Sequence, residues 1–192
     1  MKKLIIATNN ANKVREIKAI FQGIYDEVLS LKEAGISLEV EEDGVTFEQN
    51  AVKKAVAAAQ LSGCDTLADD SGLCVDALGG APGVYSARYA GPHAVDALNN
   101  EKLLSALQGV KDRGAKFVSV VALSRGDEVI TATGEVCGEI AEQASGSGGF
   151  GYDPLFFLPE LGQTFGELPA EIKNQLSHRA RALHALREKL LS

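Results

Sequence analysis

The sequence predicts an α/β protein with a mixed sheet flanked by helices, arranged as two lobes with an active-site cleft between them. Strand-like and helical segments alternate in the first part of the chain, which favours parallel strands joined by helices. Further along, two strand-like segments at 117–123 and 128–136 flank Arg-Gly-Asp, a sequence typical of a hairpin turn. The hairpin adds antiparallel strands, so a mixed sheet is favoured over a purely parallel one.

Composition sets limits on the class of protein. The chain has 192 residues, 45% of them hydrophobic, and 26 acidic against 19 basic residues give a net charge of −7. We therefore expect one globular domain over 1–192, and no nucleic-acid polymer or membrane as a partner, because both attract positive charge. Three cysteines without metal-like spacing, and no stretch of membrane-spanning length, predict a cytoplasmic protein.

The first elements follow from hydrophobic spacing and capping signals. A buried strand is expected at 3–7, a helix with one apolar face at 13–21, and a second strand at 26–31. Thr46 and Gln49 fit a capping box that starts an alanine-rich helix, and Gly63 is placed to end it.

The later elements are expected to include more loop. A strand at 66–68 is predicted to end at the acidic turn 69–72, and an extended segment, a long loop and a helix are predicted at 73–78, 79–92 and 94–107. After the hairpin we expect a glycine-rich loop, a short strand and one final helix, at 144–154, 155–158 and 176–190.

Segment 8–13, where the first strand passes into the first helix, is a candidate phosphate site. Free backbone N–H groups and the positive end of the helix dipole favour an anion there. Thr8 and Asn10 add hydrogen-bonding groups, and Lys13 adds a positive charge. The segment fits equally well a plain helix cap by Asn10 or Asn12.

Two acidic segments are candidates for catalysis or metal binding. Five acids and no base lie between positions 39 and 48, and Asp69 and Asp70 follow an apolar strand. An acidic run is usually a solvated surface, and an Asp pair often forms a turn. The alternative is that these carboxylates hold Mg²⁺ and deprotonate a water. Adjacent strand residues point to opposite faces, so Asp69 and Asp70 cannot share one pocket equally.

Two further segments suit a flat, polar ligand. Loop 145–154 places Phe150 among glycines, where it can serve as a stacking platform, although such loops are often simple connectors. From Lys173 onward five bases accompany one acid, and His178 and Arg179 begin the last predicted helix. Cations are mildly unfavourable at that helix end, which indicates an anionic or hydrogen-bond-accepting partner.

Together these segments resemble the inosine triphosphate pyrophosphatase family, which hydrolyses nucleoside triphosphates of deaminated purines. The resemblance rests on ATNNANKVREI at 7–17, DGVTFEQNAVKKA at 43–55, LADDSGLCVDALGGAPGVYSARYAG at 67–91, GSGGFGYDP at 146–154 and SHRARAL at 177–183. It implies Mg²⁺-dependent cleavage of ITP, dITP or XTP between the α and β phosphates, giving the monophosphate and pyrophosphate. It also implies a homodimer, to which the apolar loop 80–89 would contribute.

The resemblance implies roles for particular residues. Asp70 would accept a proton and bind metal together with Glu41, although Gln49 stands where the family usually has Glu, so Glu42 and Glu48 are also candidate ligands. The residues implied in substrate binding are Thr8, Asn10, Lys13, Lys54, Ser71, Phe150, Gly151, Tyr152, Asp153, Lys173, His178 and Arg179. Donors such as Lys173 and Arg179 suit the 6-keto oxygen of hypoxanthine or xanthine and oppose the amino group of adenine.

Two other functions are weighed against this one. A Maf-type pyrophosphatase acting on modified or pyrimidine nucleotides is less favoured, because its N-terminal signature is richer in serine and arginine. A non-catalytic nucleotide-binding protein is disfavoured by the presence of both Lys13 and Asp70.

Overall fold

The computed structural model describes residues 2–192, within which one seven-stranded sheet runs in the order β2-β1-β3-β4-β5-β6-β7. The strands are β1 (Lys3–Ile6), β2 (Glu27–Ser30), β3 (Asp65–Val75), β4 (Gly114–Arg125), β5 (Glu128–Ile140), β6 (Phe156–Leu158) and β7 (Gln163–Thr164). β1 pairs in parallel with β2 and β3, whereas β6 pairs antiparallel with β5 and β7. The predicted mixed sheet is confirmed.

Five α-helices accompany these strands in the described part of the chain. They are α1 (Ala11–Phe21), α2 (Phe47–Ser62), α3 (Asp96–Ala106), α4 (Ala170–Leu176) and α5 (His178–Leu191). Short 3₁₀ helices occupy Asp76–Leu78 and Gly83–Arg88. No helix among residues 2–192 is long and apolar enough to cross a membrane.

The chain divides into two compact units. Unit 1 extends through Asp70 and includes Ser119–Gly134 and Arg179–Ser192, while unit 2 comprises Ser71–Val118 and Glu135–His178. The single-domain organisation and the cleft stay predictions.

Strand alternation organises the core of unit 1 into two faces. On β1, Leu4 and Ile6 pack in one buried cluster with residues of α1 and α5, whereas Ile5 packs in another with residues of α2. β3 follows the same rule, since Leu67 lies on the α1/α5 face and Ala68 on the α2 face. The residues that come next on β3 therefore also alternate between the α1/α5 face and the α2 face.

The Thr46 start predicted for α2 is confirmed, whereas α1 begins at Ala11, two residues before the predicted 13, because Asn10 and not Asn12 caps it. Asn10 caps α1 by accepting hydrogen bonds from the backbone N–H groups of Asn12 and Lys13, at 3.0 and 3.3 Å. Thr46 caps α2, and Gly63 ends α2 in the left-handed conformation with φ of 64°.

The structure differs from the predicted elements at two places. β3 is one continuous strand, so the predicted turn at 69–72 and the separate strands on either side of it are wrong. The acidic pair does not end the strand because cations and an amide on both faces of the sheet compensate the two carboxylates. The predicted helix 176–190 corresponds to α5, which begins only at His178 because Ser177 has an extended backbone with ψ of 152°. Leu176 instead ends α4, which was not predicted.

Unit 2 has a core of its own with an aromatic centre. Phe117 packs against Phe156 and Phe165, with ring centroids 4.5 and 5.8 Å apart. Leu73 and Val75 of β3, together with Leu103 and Leu107 of the α3 region, complete this buried cluster. It supports the glycine-rich loop, which has neither helix nor strand over residues 144–154, as predicted.

Candidate active site

The two adjacent acids of β3 point to opposite faces of the sheet. Asp69 has the same strand parity as Leu67 and lies toward α1 and α5, whereas Asp70 has the parity of Ala68 and lies toward α2. Both are buried, with 1% and 7% of their surface exposed. Each acid therefore has a different set of partners.

Asp69 is the centre of a buried ion-pair network. Its Oδ2 lies 2.9 Å from Lys13 Nζ and 3.2 Å from Arg179 Nε. Arg179 also places Nη1 2.8 Å from Oε2 of Glu16 on α1. One acid of β3 thus joins the start of α1 to the start of α5.

The network determines the charge state of Asp69. Burial alone would raise the pKa of this carboxyl, but the positive charges of Lys13, Arg179 and Lys54 outweigh burial and hold the pKa well below its usual range. Burial lowers the pKa of Lys13, and the charge of Asp69 opposes this effect. Asp69 is consequently a fixed anion, which makes it a poor proton acceptor.

Asp70 has a different environment on the α2 face. Its Oδ2 accepts a hydrogen bond from Asn50 Nδ2 at 3.0 Å, and its Oδ1 lies 3.9 Å from Lys54 Nζ. Lys54 in turn lies 2.6 Å from Oε1 of Glu42. Burial raises the pKa of Asp70 above its usual value, although Lys54 and Asn50 partly oppose this shift. A carboxylate with a raised pKa inside a polar pocket is suited to accept a proton.

Lys54 stays positively charged in this pocket. Burial acts to lower its pKa, but Asp69, Asp70 and Glu42 together raise it above the usual value. Lys54 is therefore a mostly buried cation beside the candidate base, as a phosphate-binding lysine requires.

The acidic segment before α2 is held by lysines of that helix. Glu42 pairs with Lys54, and Asp43 Oδ1 lies 2.6 Å from Lys53 Nζ. Glu41 is exposed, and Glu48 accepts a hydrogen bond from the Thr131 hydroxyl. Within residues 2–192, no three His, Cys, Asp or Glu side chains are grouped so as to hold a metal ion.

In unit 2 the glycine-rich loop turns around Asp153. The Oδ2 atom of Asp153 accepts hydrogen bonds from the Phe150 backbone N–H and from Lys173 Nζ. Gly149 has φ of +74°, and a Cβ there would lie 2.0 Å from that same oxygen, so only glycine permits this approach. Lys173 Nζ lies 4.7 Å from the centre of the Phe150 ring. The structure thus brings Phe150, Asp153 and Lys173 together, and their binding of a base stays a prediction.

His178 and Arg179, the last two residues predicted to contact the nucleoside, have different surroundings. His178 is buried in unit 2, with its ring stacked on Phe117 at 4.8 Å and an interplanar angle of 13°. Arg179 belongs to unit 1 and bonds to Asp69 and Glu16. Ser71 follows Asp70 on β3 and is half-buried.

With this geometry in place, a family model described as Ham1 family matches residues 4–189. The chain belongs to the Ham1 family. It is 53% identical to a dITP/XTP pyrophosphatase of Clostridium perfringens, with 99% of this chain and 98% of the relative covered. The corresponding protein of Geobacter sulfurreducens, also named dITP/XTP pyrophosphatase, is 53% identical, with 99% and 97% covered.

Solved Ham1 structures have the same fold. The Staphylococcus aureus Ham1 protein superposes with a TM-score of 0.91 at 45% identity, covering 99% of this chain and 98% of its own. A HAM1 protein from Coxiella burnetii gives 0.91 at 38% identity, with 100% and 99% covered. The resemblance stated from the five motifs is confirmed.

Several polar residues of this Ham1 protein were not singled out from sequence. Asp96 Oδ2 accepts the Gly151 N–H at 2.7 Å, and Asn100 donates to the Gly151 carbonyl at 3.1 Å. Their spacing of four residues on α3 was a usable signal, because it puts both side chains on one helix face. Glu16 and Asn50 are the other two, and both lie inside quoted motifs.

Proposed function

We propose that this Ham1-family protein hydrolyses non-canonical purine nucleoside triphosphates, namely ITP, dITP and XTP, to the monophosphate and pyrophosphate. The reaction clears deaminated purines from the nucleotide pool. The observation that carries the proposal is the buried Asp70, whose pKa is raised and which lies beside Lys54. Near-identical chain length and 53% identity to proteins named dITP/XTP pyrophosphatase support the substrate class.

The phosphates are proposed to bind at the start of α1 and at Lys54. Asn10 caps α1, and Thr8 Oγ1 accepts the Asn10 N–H at 3.2 Å, so both residues order the turn at the start of that helix. The helix dipole and the ammonium groups of Lys13 and Lys54 supply positive charge for a polyanion. In this assignment Ser71 contacts the substrate next to Asp70.

We propose Mg²⁺ as the cofactor, held by Asp70 and Glu41, with Glu42 and Glu48 as alternatives to Glu41. Mg²⁺ takes few protein carboxylates and completes its shell with water and phosphate oxygens, so a set of one or two acids fits it. Asp70 and Glu42 flank the Lys54 ammonium, and this cation next to two carboxylates supports the proposal of a metal ion near them. When bound, Mg²⁺ would neutralise charge on the phosphates.

Within the protein, Asp70 is proposed to take the proton from the water that attacks the α phosphorus. The pKa of Asp70 is raised toward neutral pH, so its ionised carboxylate is a stronger base than that of an ordinary aspartate. Lys13 and Lys54 would stabilise the negative charge that develops on the phosphate oxygens.

The base is proposed to bind the glycine-rich loop and Lys173. Phe150 supplies a ring face, Gly151 and Tyr152 continue the loop, and Lys173 supplies a donor next to Asp153. His178 and Arg179 stay proposed contacts to the nucleoside. Arg179 directs Nε and Nη1 to Asp69 and Glu16, so its bond to a keto oxygen would add to or replace one of these.

The protein is proposed to be a cytoplasmic homodimer with no nucleic-acid polymer or membrane as a partner. The net charge of −7 supports the exclusion of polyanions, and the three cysteines are free thiols. Tyr85, in the predicted interface loop, exposes 56% of its surface, and this supports an interface there. Light scattering that returns only the 20.2 kDa monomer would refute the dimer.

Product analysis tests the proposed reaction. Purified protein is incubated with ITP, XTP, GTP or ATP in the presence of Mg²⁺, and a chelator arm tests the metal. We expect IMP or XMP with pyrophosphate, and low turnover of ATP. Orthophosphate without pyrophosphate, or no turnover of any of the four, would overturn the proposal. Asp70→Asn should abolish turnover while leaving thermal unfolding nearly unchanged.

A further inference from the structure

Asn50 occupies an unusual position for an amide side chain. It lies on α2, one turn before Lys54, and none of its surface is exposed. A buried amide must satisfy its donors and its acceptor within the protein, or it destabilises the fold. Asn50 does so through two contacts, one to the acidic segment before α2 and one to β3.

The first contact determines which way the amide is turned. The Gly44 backbone N–H, which can only donate, gives its hydrogen to Asn50 Oδ1 at 2.8 Å. The oxygen therefore faces Gly44, and the Nδ2 group is left facing the opposite side. A Cβ on Gly44 would lie 2.5 Å from that Oδ1, so the absence of a side chain at position 44 allows the approach.

The second contact uses the group thus oriented. Asn50 Nδ2 donates to Asp70 Oδ2 at 3.0 Å, while Oδ1 of the same carboxylate faces Lys54 at 3.9 Å. Asn50 and Lys54, which lie on one face of α2, therefore each face a different oxygen of Asp70. The torsion that rotates a carboxylate is soft, and a hydrogen bond to one oxygen restricts it.

We propose that Asn50 is a positioning residue that holds the Asp70 carboxylate in the orientation needed for catalysis. The inference rests on the proposed function of Asp70 as proton acceptor. Asn50 itself contacts neither phosphate nor base in this assignment. Gly44 contributes to the same positioning, because its N–H determines the orientation of the Asn50 amide.

Asn50→Asp removes the bond to Asp70, but its negative charge also repels that carboxylate, so the neutral Gly44→Ala variant separates lost positioning from repulsion. The new carboxylate keeps the shape of the side chain and an acceptor for the Gly44 N–H, but it loses the donor that faces Asp70. A displacement of the reacting group by about 1 Å costs about 100-fold in rate. We expect kcat for ITP to fall about 10- to 100-fold, with KM changed by less than about threefold, because the proposed phosphate and base contacts are untouched.

Asn99 offers a matched control. It is likewise a buried asparagine, 3% exposed, that accepts a backbone N–H from Ala90 at 2.7 Å and donates to the Ala87 carbonyl at 3.2 Å. Asn99→Asp therefore introduces the same buried carboxylate and loses the same kind of donor, away from Asp70. We expect it to lower the thermal midpoint as Asn50→Asp does, and to leave kcat within about twofold of the parent.

Gly44→Ala tests the same positioning role in a second way, by disturbing the contact that orients Asn50. Gly44 is not among the glycines with positive φ, so alanine meets no backbone strain, but its Cβ would lie 2.5 Å from Asn50 Oδ1 and 2.9 Å from the Cβ of Gln49. We expect a lower kcat with little change in KM. The double variant Gly44→Ala/Asn50→Asp should lose less than the product of the two single effects, because both act through one hydrogen bond.

The outcomes separate this inference from the function on which it rests. Full activity in Asp70→Asn would remove the proposed base, and the inference with it. An inactive Asp70→Asn beside an Asn50→Asp enzyme with parental kcat would refute the positioning role alone. An equal loss of kcat in Asn99→Asp would also refute it, because the effect would then be one of general stability. If Asn50→Asp does not fold, Gly44→Ala decides by the same criteria.

Discussion

The buried Lys173–Asp153 pair allows a quantitative prediction for Lys173→Met. Both side chains are largely buried, with exposed fractions of 9% and 4%, and Lys173 also lies over the Phe150 ring. Removing one member of a buried pair leaves the other charge inside the protein and costs about 3–5 kcal/mol. Methionine keeps the length and apolar stem of lysine, so the loss is assigned to charge rather than to a cavity.

The assay is urea unfolding together with a thermal scan. A loss of about 3–5 kcal/mol corresponds to roughly 10 °C in the thermal midpoint for a chain of this size. The double variant Lys173→Met/Asp153→Asn should recover most of this loss, because the asparagine oxygen still accepts the Phe150 N–H without a buried negative charge. A loss below about 1 kcal/mol in Lys173→Met, or no recovery in the double variant, would refute the reasoning.

Three other predictions concern acid stability, the α3 contacts and the glycine-rich loop. The pKa of Asp69 is lower in the folded protein than in the unfolded chain, so its stabilising effect is present above about pH 4–5 and is lost as pH falls. The Asp69→Asn variant should therefore be less stable than the parent at pH 7 and should lose less stability on acidification, as measured by urea midpoints. Asn100→Leu removes a bond to the Gly151 carbonyl and should raise KM for ITP about 2- to 10-fold at similar kcat, in steady-state kinetics. Gly149→Ala should lower the thermal midpoint more than Gly151→Ala, because both have positive φ but only the first Cβ meets Asp153; equal midpoints would contradict this.

Local signals predicted much of the fold. Capping residues Thr46 and Gly63 marked the ends of α2 correctly, and of the two caps considered for α1, Asn10 is the one observed. Spacing of apolar residues placed α1, α2, α3, α5 and most strands within a few residues of their observed bounds, whereas α4 and β7 were not predicted. These features depend on neighbours within one or two turns, which the sequence displays directly.

The errors arose where distant partners override local preference. Asp69 and Asp70 read as a turn because adjacent acids rarely continue a buried strand. In the structure, Lys13 and Arg179 on one face, and Lys54 and Asn50 on the other, compensate them. None of these partners lies within ten positions of the pair, so the continuous strand could not be seen locally. The break at Ser177 is a similar case, since leucine spacing alone runs through it.

The sequence by itself determined the family, the mixed α/β fold and the residues expected to carry chemistry, because these reside in ordered motifs and periodicity. Only the tertiary structure decided how the surroundings of the two adjacent acids differ. Strand parity sends Asp69 into a network of cations that keeps it ionised, and sends Asp70 toward an amide and one lysine, where burial raises its pKa. The two residues are identical and adjacent, and their difference comes from side chains that the fold alone brings to each face.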